Sequence, residues 1–179
     1  MKPLSVQRLG AILAAVLALG AIFGANPASA AVRDDGPITG FSASVDKKTA
    51  APGDDLTLTL SLTNTETIPI VFAYEYIEPN WPTSSYRNAF AITGCGGDQT
   101  DCTVAPSGDF VSFHPTAPIP PGATRTVTAT VRIVSPLPWS VPLRLNWTPY
   151  AYAEYGYPAV MTKSGPHLNG TPELETVIS

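Results

Sequence analysis

Two cysteines, two histidines and 14 carboxylates are the groups in this 179-residue chain whose types can do chemistry. Both cysteines lie in "CGGDQTDC", Cys95 to Cys102. A redox pair is usually spaced C-x-x-C beside a helix start, which stabilises the thiolate. Six residues separate these two, and together with one distant histidine they make no zinc pattern. Asp98 and Asp101 offer oxygen ligands, but the segment lacks the alternating aspartates and closing glutamate of a calcium loop. No metal site and no cofactor are therefore expected, and Asp98 and Asp101 stand as the remaining metal candidates. The expectation is a Cys95–Cys102 disulfide, stapling a hairpin loop. Closing an eight-residue ring removes chain entropy worth roughly 2.5 kcal/mol. His114 sits in "FVSFHPT" and His167 near the C-terminus, neither beside a partner that marks catalysis. There is no G-x-S-x-G elbow. Glu75 and Glu78 could pair for glycoside hydrolysis only if both met in space, and they read as solvated surface groups. No catalytic constellation emerges, so the chain is expected not to be an enzyme.

The N-terminus supplies an address. Lys2 and Arg8 precede the apolar run "LGAILAAVLALGAIFG", followed by Asn26-Pro27 and the small-residue site Ala28-Ser29-Ala30. This order reads as a secretory signal peptide, residues 1–30. The run is 16 residues, short of the roughly 20 a membrane helix needs. The alanine-rich core and export site resemble bacterial signals. Cleavage after Ala30 leaves 149 residues carrying eight bases and all 14 acids, a net charge of −6. With no second long apolar run, no membrane span is expected after cleavage. The bases are scattered, so the stripe that nucleic-acid binding requires is absent. The expected location is secreted, extracellular or in the cell envelope, where thiols oxidise.

The remaining chain must fold with 17 prolines, which rule out long helices. Period-two alternation dominates instead. In "DLTLTLSLTN" Leu56, Leu58, Leu60 and Leu62 share one face, and Thr57, Thr59, Ser61 and Thr63 the other. "TRTVTATVRIV" alternates in the same way, with Val127, Ala129, Val131 and Ile133 inward. "VPLRLNW" and "AYAEYGYPAVMTKS" read as separate strands, and "IPIVFAYEYI" as a strand buried on both faces. Turn signals every 8–12 residues then give seven to nine strands. The expected fold is an all-β, antiparallel, immunoglobulin-like β-sandwich over residues 31–164, with a fraying tail at 165–179.

Pro52-Gly53 and Pro121-Gly122 turns each open an alternating strand, and the first strand ends in Thr63-Asn64-Thr65. From Ile38 to Tyr150 this resembles the immunoglobulin-like domains of bacterial exported and cell-surface proteins. The resemblance implies a sandwich and specifies turns and strands only. A looser likeness to the proteinase inhibitor-like domains of bacilli carries the idea of a presented loop, against which the signal peptide speaks.

All seven tyrosines fall in two clusters, one around "EPNWPTSS" and one in "YAYAEYGY". Aromatic side chains suit sugar rings or protein partners, and they also fill sandwich interiors. Trp81 and Tyr86 in the first cluster, and Tyr155 and Tyr157 in what reads as an exposed turn, form the candidate binding surface. The expected function is a non-enzymatic exported protein that acts by binding an unknown protein or glycan, or as an extracellular structural component. Two alternatives remain open: a carbohydrate-binding module using exposed Tyr and Trp, and a secreted proteinase inhibitor.

Overall fold

A computed structural model of the chain describes residues 32–134, 142–165 and 174–179. The expected signal peptide and His167 lie outside the described residues. The strands run in chain order β1 (Arg33–Asp34), β2 (Phe41–Val45), β3 (Thr49–Ala50), β4 (Asp55–Thr63), β5 (Ile70–Pro79) and β6 (Phe90–Gly97). Then come β7 (Gln99–Val104), β8 (Val111–Pro115), β9 (Thr124–Ile133), β10 (Leu143–Tyr155), β11 (Met161–Ser164) and β12 (Glu175–Ile178). There is no α-helix among the described residues. Eight strands have five residues or more, and four shorter ones extend the edges.

The strands form two sheets. The smaller is ordered β2-β4-β9-β6, and the larger β1-β11-β10-β5-β8-β7 with β12 beside β10 and β3 beside β12. Pairing is antiparallel except at two short edges, β1 with β11 and β3 with β12. Between the sheets lies the core. Leu56, Leu58 and Leu60 of β4 stand opposite Val131, Ala129 and Val127 of β9, all fully buried. Each leucine buried this way contributes about 1.5–3 kcal/mol. The larger sheet answers with Ile77, Phe113, Leu145, Trp147 and Ala151.

Three expectations about the elements change. "LRLNW" and "AYAEY" belong to one 13-residue strand, β10. Pro149 sits in its middle although proline cannot donate to a ladder. Beyond β10, β12 pairs Leu143–Asn146 and β11 pairs Tyr152–Tyr155, and among the described residues 147–151 have no strand partner on that edge. The Ala151 carbonyl accepts from the Gly165 amide at 2.8 Å on this same side. Residues two apart point the same way, so the ring of Pro149 faces that gap and not β5. Second, the C-terminus does not fray throughout. Residues 175–178 are strand β12, with Leu174, Thr176 and Ile178 buried.

The third change concerns the cysteines. They are joined, with Cα atoms 6.6 Å apart. They do not staple a hairpin, however. Cys95 on β6 pairs with Ala129 in the smaller sheet, while Cys102 on β7 pairs with Phe113 in the larger. The disulfide therefore ties the two sheets together. The chain changes sheets at Gly97, whose φ is +95° and where a Cβ would meet the Thr126 carbonyl oxygen at 2.2 Å. Only glycine fits that corner.

Candidate binding face

The outward row of the larger sheet is aromatic. On β5, Ala73, Glu75 and Ile77 point inward and Phe72, Tyr74, Tyr76 and Glu78 outward. On β10 the outward row includes Thr148, Tyr150, Tyr152 and Glu154. Antiparallel register sets Tyr76 opposite Tyr150, Tyr74 opposite Tyr152 and Phe72 opposite Glu154. Ser112 and His114 extend the rows onto β8, and Thr103 and Asp101 onto β7.

The rings touch. Tyr76 and Tyr150 stack with centroids 5.0 Å apart. Phe110 lies 5.5 Å from Tyr76, and Tyr74 lies 6.1 Å from it. His114 meets Tyr74 at 5.5 Å and Phe72 at 5.7 Å, and Phe72 meets Tyr152 at 6.3 Å. Seven rings thus form one connected network across β5, β8, β10 and Phe110. All are partly exposed, Phe72 at 39%. The expectation that "IPIVFAYEYI" is buried on both faces is corrected accordingly: its inner face is core, and its outer face is this surface.

Burial, followed by the Glu78 charge, raises the Tyr76 phenol above its ordinary value. Tyr152 is raised by burial first, and then by its hydrogen bond to Glu154, whose carboxylate accepts from the phenol at 3.1 Å. Both phenols are neutral donors near pH 7. At one end the network borders a cleft of about 460 Å³ lined by Glu78, Ser84, Arg87, Ser107, Asp109 and Phe110 among others. Arg87 Nε is ion-paired to Asp109 at 2.8 Å, and Ser107 hydroxyl bonds the same carboxylate.

The residues singled out from sequence are not brought together. Trp81 is 76% exposed in the loop after β5, and Tyr157 is 71% exposed in the turn after β10. These loops lie at opposite ends of the β5–β10 ladder, about 30 Å apart at 3.4 Å per residue. Tyr86 is half-buried against the core. Tyr155 is corrected outright: it ends β10, is 1% exposed, and burial pushes its phenol up to about 12. The loop bearing Trp81 is pinned, because the Asn80 amide donates to the Asn146 carbonyl and the Asn146 amide to Thr83 Oγ1, at 2.9 and 2.7 Å. It continues through 3-10 turns at Thr83–Ser85 and Arg87–Ala89, unlike an extended inhibitor loop.

Asp98 and Asp101 do not converge either. The Asp98 carboxylate accepts from the Thr126 amide at 3.1 Å, fixing the corner between sheets. Asp101 stands on the outer face, 3.6 Å from His114 Nδ1. Glu75 and Glu78 point to opposite faces of β5 and cannot act as a pair. Glu75 is fully buried, neither carboxylate oxygen has a hydrogen-bond partner among the described residues, and desolvation pushes it up to about 8.

No protein-family model and no curated protein matches the chain. Among solved structures, the N-terminal domain of a Streptococcus gordonii adhesin is similar, with TM-score 0.51 and 9% identity over 79% of this chain. The chain spans 33% of that one. A cohesin module from a Clostridium perfringens family 33 glycoside hydrolase is 12% identical over 78% of this chain and 96% of its own, with TM-score 0.47. The sixth cohesin of Acetivibrio cellulolyticus scaffoldin B, solved with a dockerin, is 11% identical over 70% and 97%, with TM-score 0.48. At these identities the adhesin likeness shows a shared sandwich fold and nothing more.

Proposed function

We propose that this chain is an exported, non-catalytic binding module that holds a protein partner on the outer face of its larger sheet. The observation carrying this reading is the network of seven partly exposed rings on that face. A sheet needs aromatic burial on one side only, and contiguous exposed apolar surface marks interaction sites. Tyrosine and histidine with charged residues at the margin match the make-up of protein interfaces.

Capture from the extracellular fraction of producing cells tests the reading. Immobilised wild-type chain should retain a partner that a Tyr76→Ser/Tyr150→Ser variant loses and a Thr59→Ala/Thr128→Ala variant on the other sheet keeps. Equal capture by all three would remove the aromatic face from the account. Glycan binding is the second reading, favoured by Trp81 and Tyr157, whose rings are largely uncovered. Loss of polysaccharide retention in Trp81→Ala, with the tyrosine variant unaffected, would select it.

A further inference from the structure

We infer that the segment the partner presents to this face is basic, with lysine or arginine side chains lying over the tyrosine rings and reaching carboxylates at the margin. The inference rests on the proposed binding role of the aromatic face. Four acids bound that face. Asp34 on edge strand β1 and Glu154 on β10 lie at one corner, since Asp34 pairs Thr162 and Thr162 pairs Glu154. Glu78 stands at the far end of β5 beside the cleft. Asp101 stands on the opposite edge strand, β7. Strand spacing of about 4.8 Å puts Asp34 and Asp101 about 24 Å apart, and six residues put Glu154 and Glu78 about 20 Å apart. That span is the scale of one side of a small protein interface.

The arginines among the described residues of this face are already engaged. Arg144 is ion-paired to Glu175, and Arg87 to Asp109. His114 faces Asp101. Among the described residues no ion pair gives Asp34, Glu78 or Glu154 a lysine or arginine. Ring faces attract cations through their quadrupole, and carboxylates attract them through charge. Both features of the face thus select the same chemistry. A second copy of the chain is disfavoured by the same pattern, because face-to-face packing would set acids against acids.

Three twelve-residue peptides with one shared Gly/Ser/Tyr frame, differing only in whether four positions are Lys/Arg, Gln or Glu, test this against the mature chain by calorimetry or NMR titration. The basic peptide is expected to bind at least about tenfold more tightly than the neutral one, and to weaken as salt rises from 50 to about 300 mM. Glu78→Gln/Glu154→Gln should reduce its affinity about fivefold without altering the fold, a readout that survives if a tyrosine variant misfolds. Equal binding of all three peptides, or basic binding that these substitutions leave unchanged, overturns the inference. Should partner capture still depend on Tyr76 and Tyr150 while the peptides show no charge preference, the basic segment is wrong and the binding face stands. Should sedimentation show a dimer that Tyr76→Ser/Tyr150→Ser dissolves, the occupant is a second copy and the inference is wrong.

Discussion

The two outward faces of this sandwich obey the same alternation and carry opposite chemistry. On the smaller sheet, Thr57, Thr59, Ser61 and Thr63 of β4 stand directly opposite Thr130, Thr128, Thr126 and Thr124 of β9. Their hydroxyls bond across the strands, Thr63 to Thr124 at 2.8 Å and Ser61 to Thr126 at 3.2 Å. Short β-branched side chains fit the pleat, and their hydroxyls are satisfied by each other and by water. This face has no need of a partner. On the larger sheet the equivalent positions hold Phe72, Tyr74, Tyr76, Tyr150 and Tyr152, whose remaining apolar area is still open to water. Sheet stability alone does not require rings there. The difference teaches that the proposed binding face is marked out by what the fold does not need.

The largest effect separating the two halves should come from beneath the aromatic face. Glu75 lies between Tyr74 and Tyr76 in sequence and points into the core, where β4 has only leucines. Unfolded, its carboxyl titrates near 4.5; folded, it is pushed up to about 8 by desolvation. The folded state therefore holds a proton that the unfolded state has released between these values. Stability is full below pH 4.5 and falls as pH rises toward 8, by on the order of 5 kcal/mol at about 1.4 per pH unit. Urea midpoints from pH 5 to 8.5 should show this decline, and Glu75→Gln should flatten it. Hydrogen exchange should loosen β5 and its neighbours before β4 and β9. A flat wild-type profile would mean that Glu75 finds a partner.

Next in size is the tie between the halves. Cys95→Ser/Cys102→Ser should lower stability by roughly 2.5 kcal/mol from restored chain entropy. Calorimetry should register the loss. Alkylation of two free thiols in the unreduced wild-type chain would contradict the bond itself.

Smaller effects distinguish the faces directly. Tyr76 and Tyr150 should couple by about 0.5–1.5 kcal/mol in a double-mutant cycle, as stacked pairs do. Thr59→Ala and Thr128→Ala on the other sheet should each stay within about 1 kcal/mol. Threonine losses as large as the aromatic ones would erase the contrast.

Which parts of this were legible in sequence follows from what each residue type announces. Leu56 to Leu62 and Val127 to Ile133 announce their faces because apolar and hydroxyl residues alternate strictly there. Strand β5 conceals its outer face, since Phe72, Tyr74 and Tyr76 look as apolar as a core row. Glu75 reads as a solvated acid because its burial depends on phase against distant strands, which a local pattern does not carry. Tyr155 reads as a turn residue beside Gly156, yet the strand continues through it into the core. The bond between Cys95 and Cys102 was legible from their number and the expected export. Its placement across two sheets was not, because a spacing of seven fits a hairpin as well as a corner. Strand β12 escapes for the opposite reason, being only four residues long and made a strand by pairing with β10.

The central claim is that the aromatic face, and not the threonine face, binds. Parallel capture with wild-type, Tyr76→Ser/Tyr150→Ser and Thr59→Ala/Thr128→Ala chains, each checked for intact folding by circular dichroism, tests it most directly. The account predicts one protein retained by wild-type and the threonine variant and lost from the tyrosine variant. Retention by the folded tyrosine variant at wild-type level would contradict it.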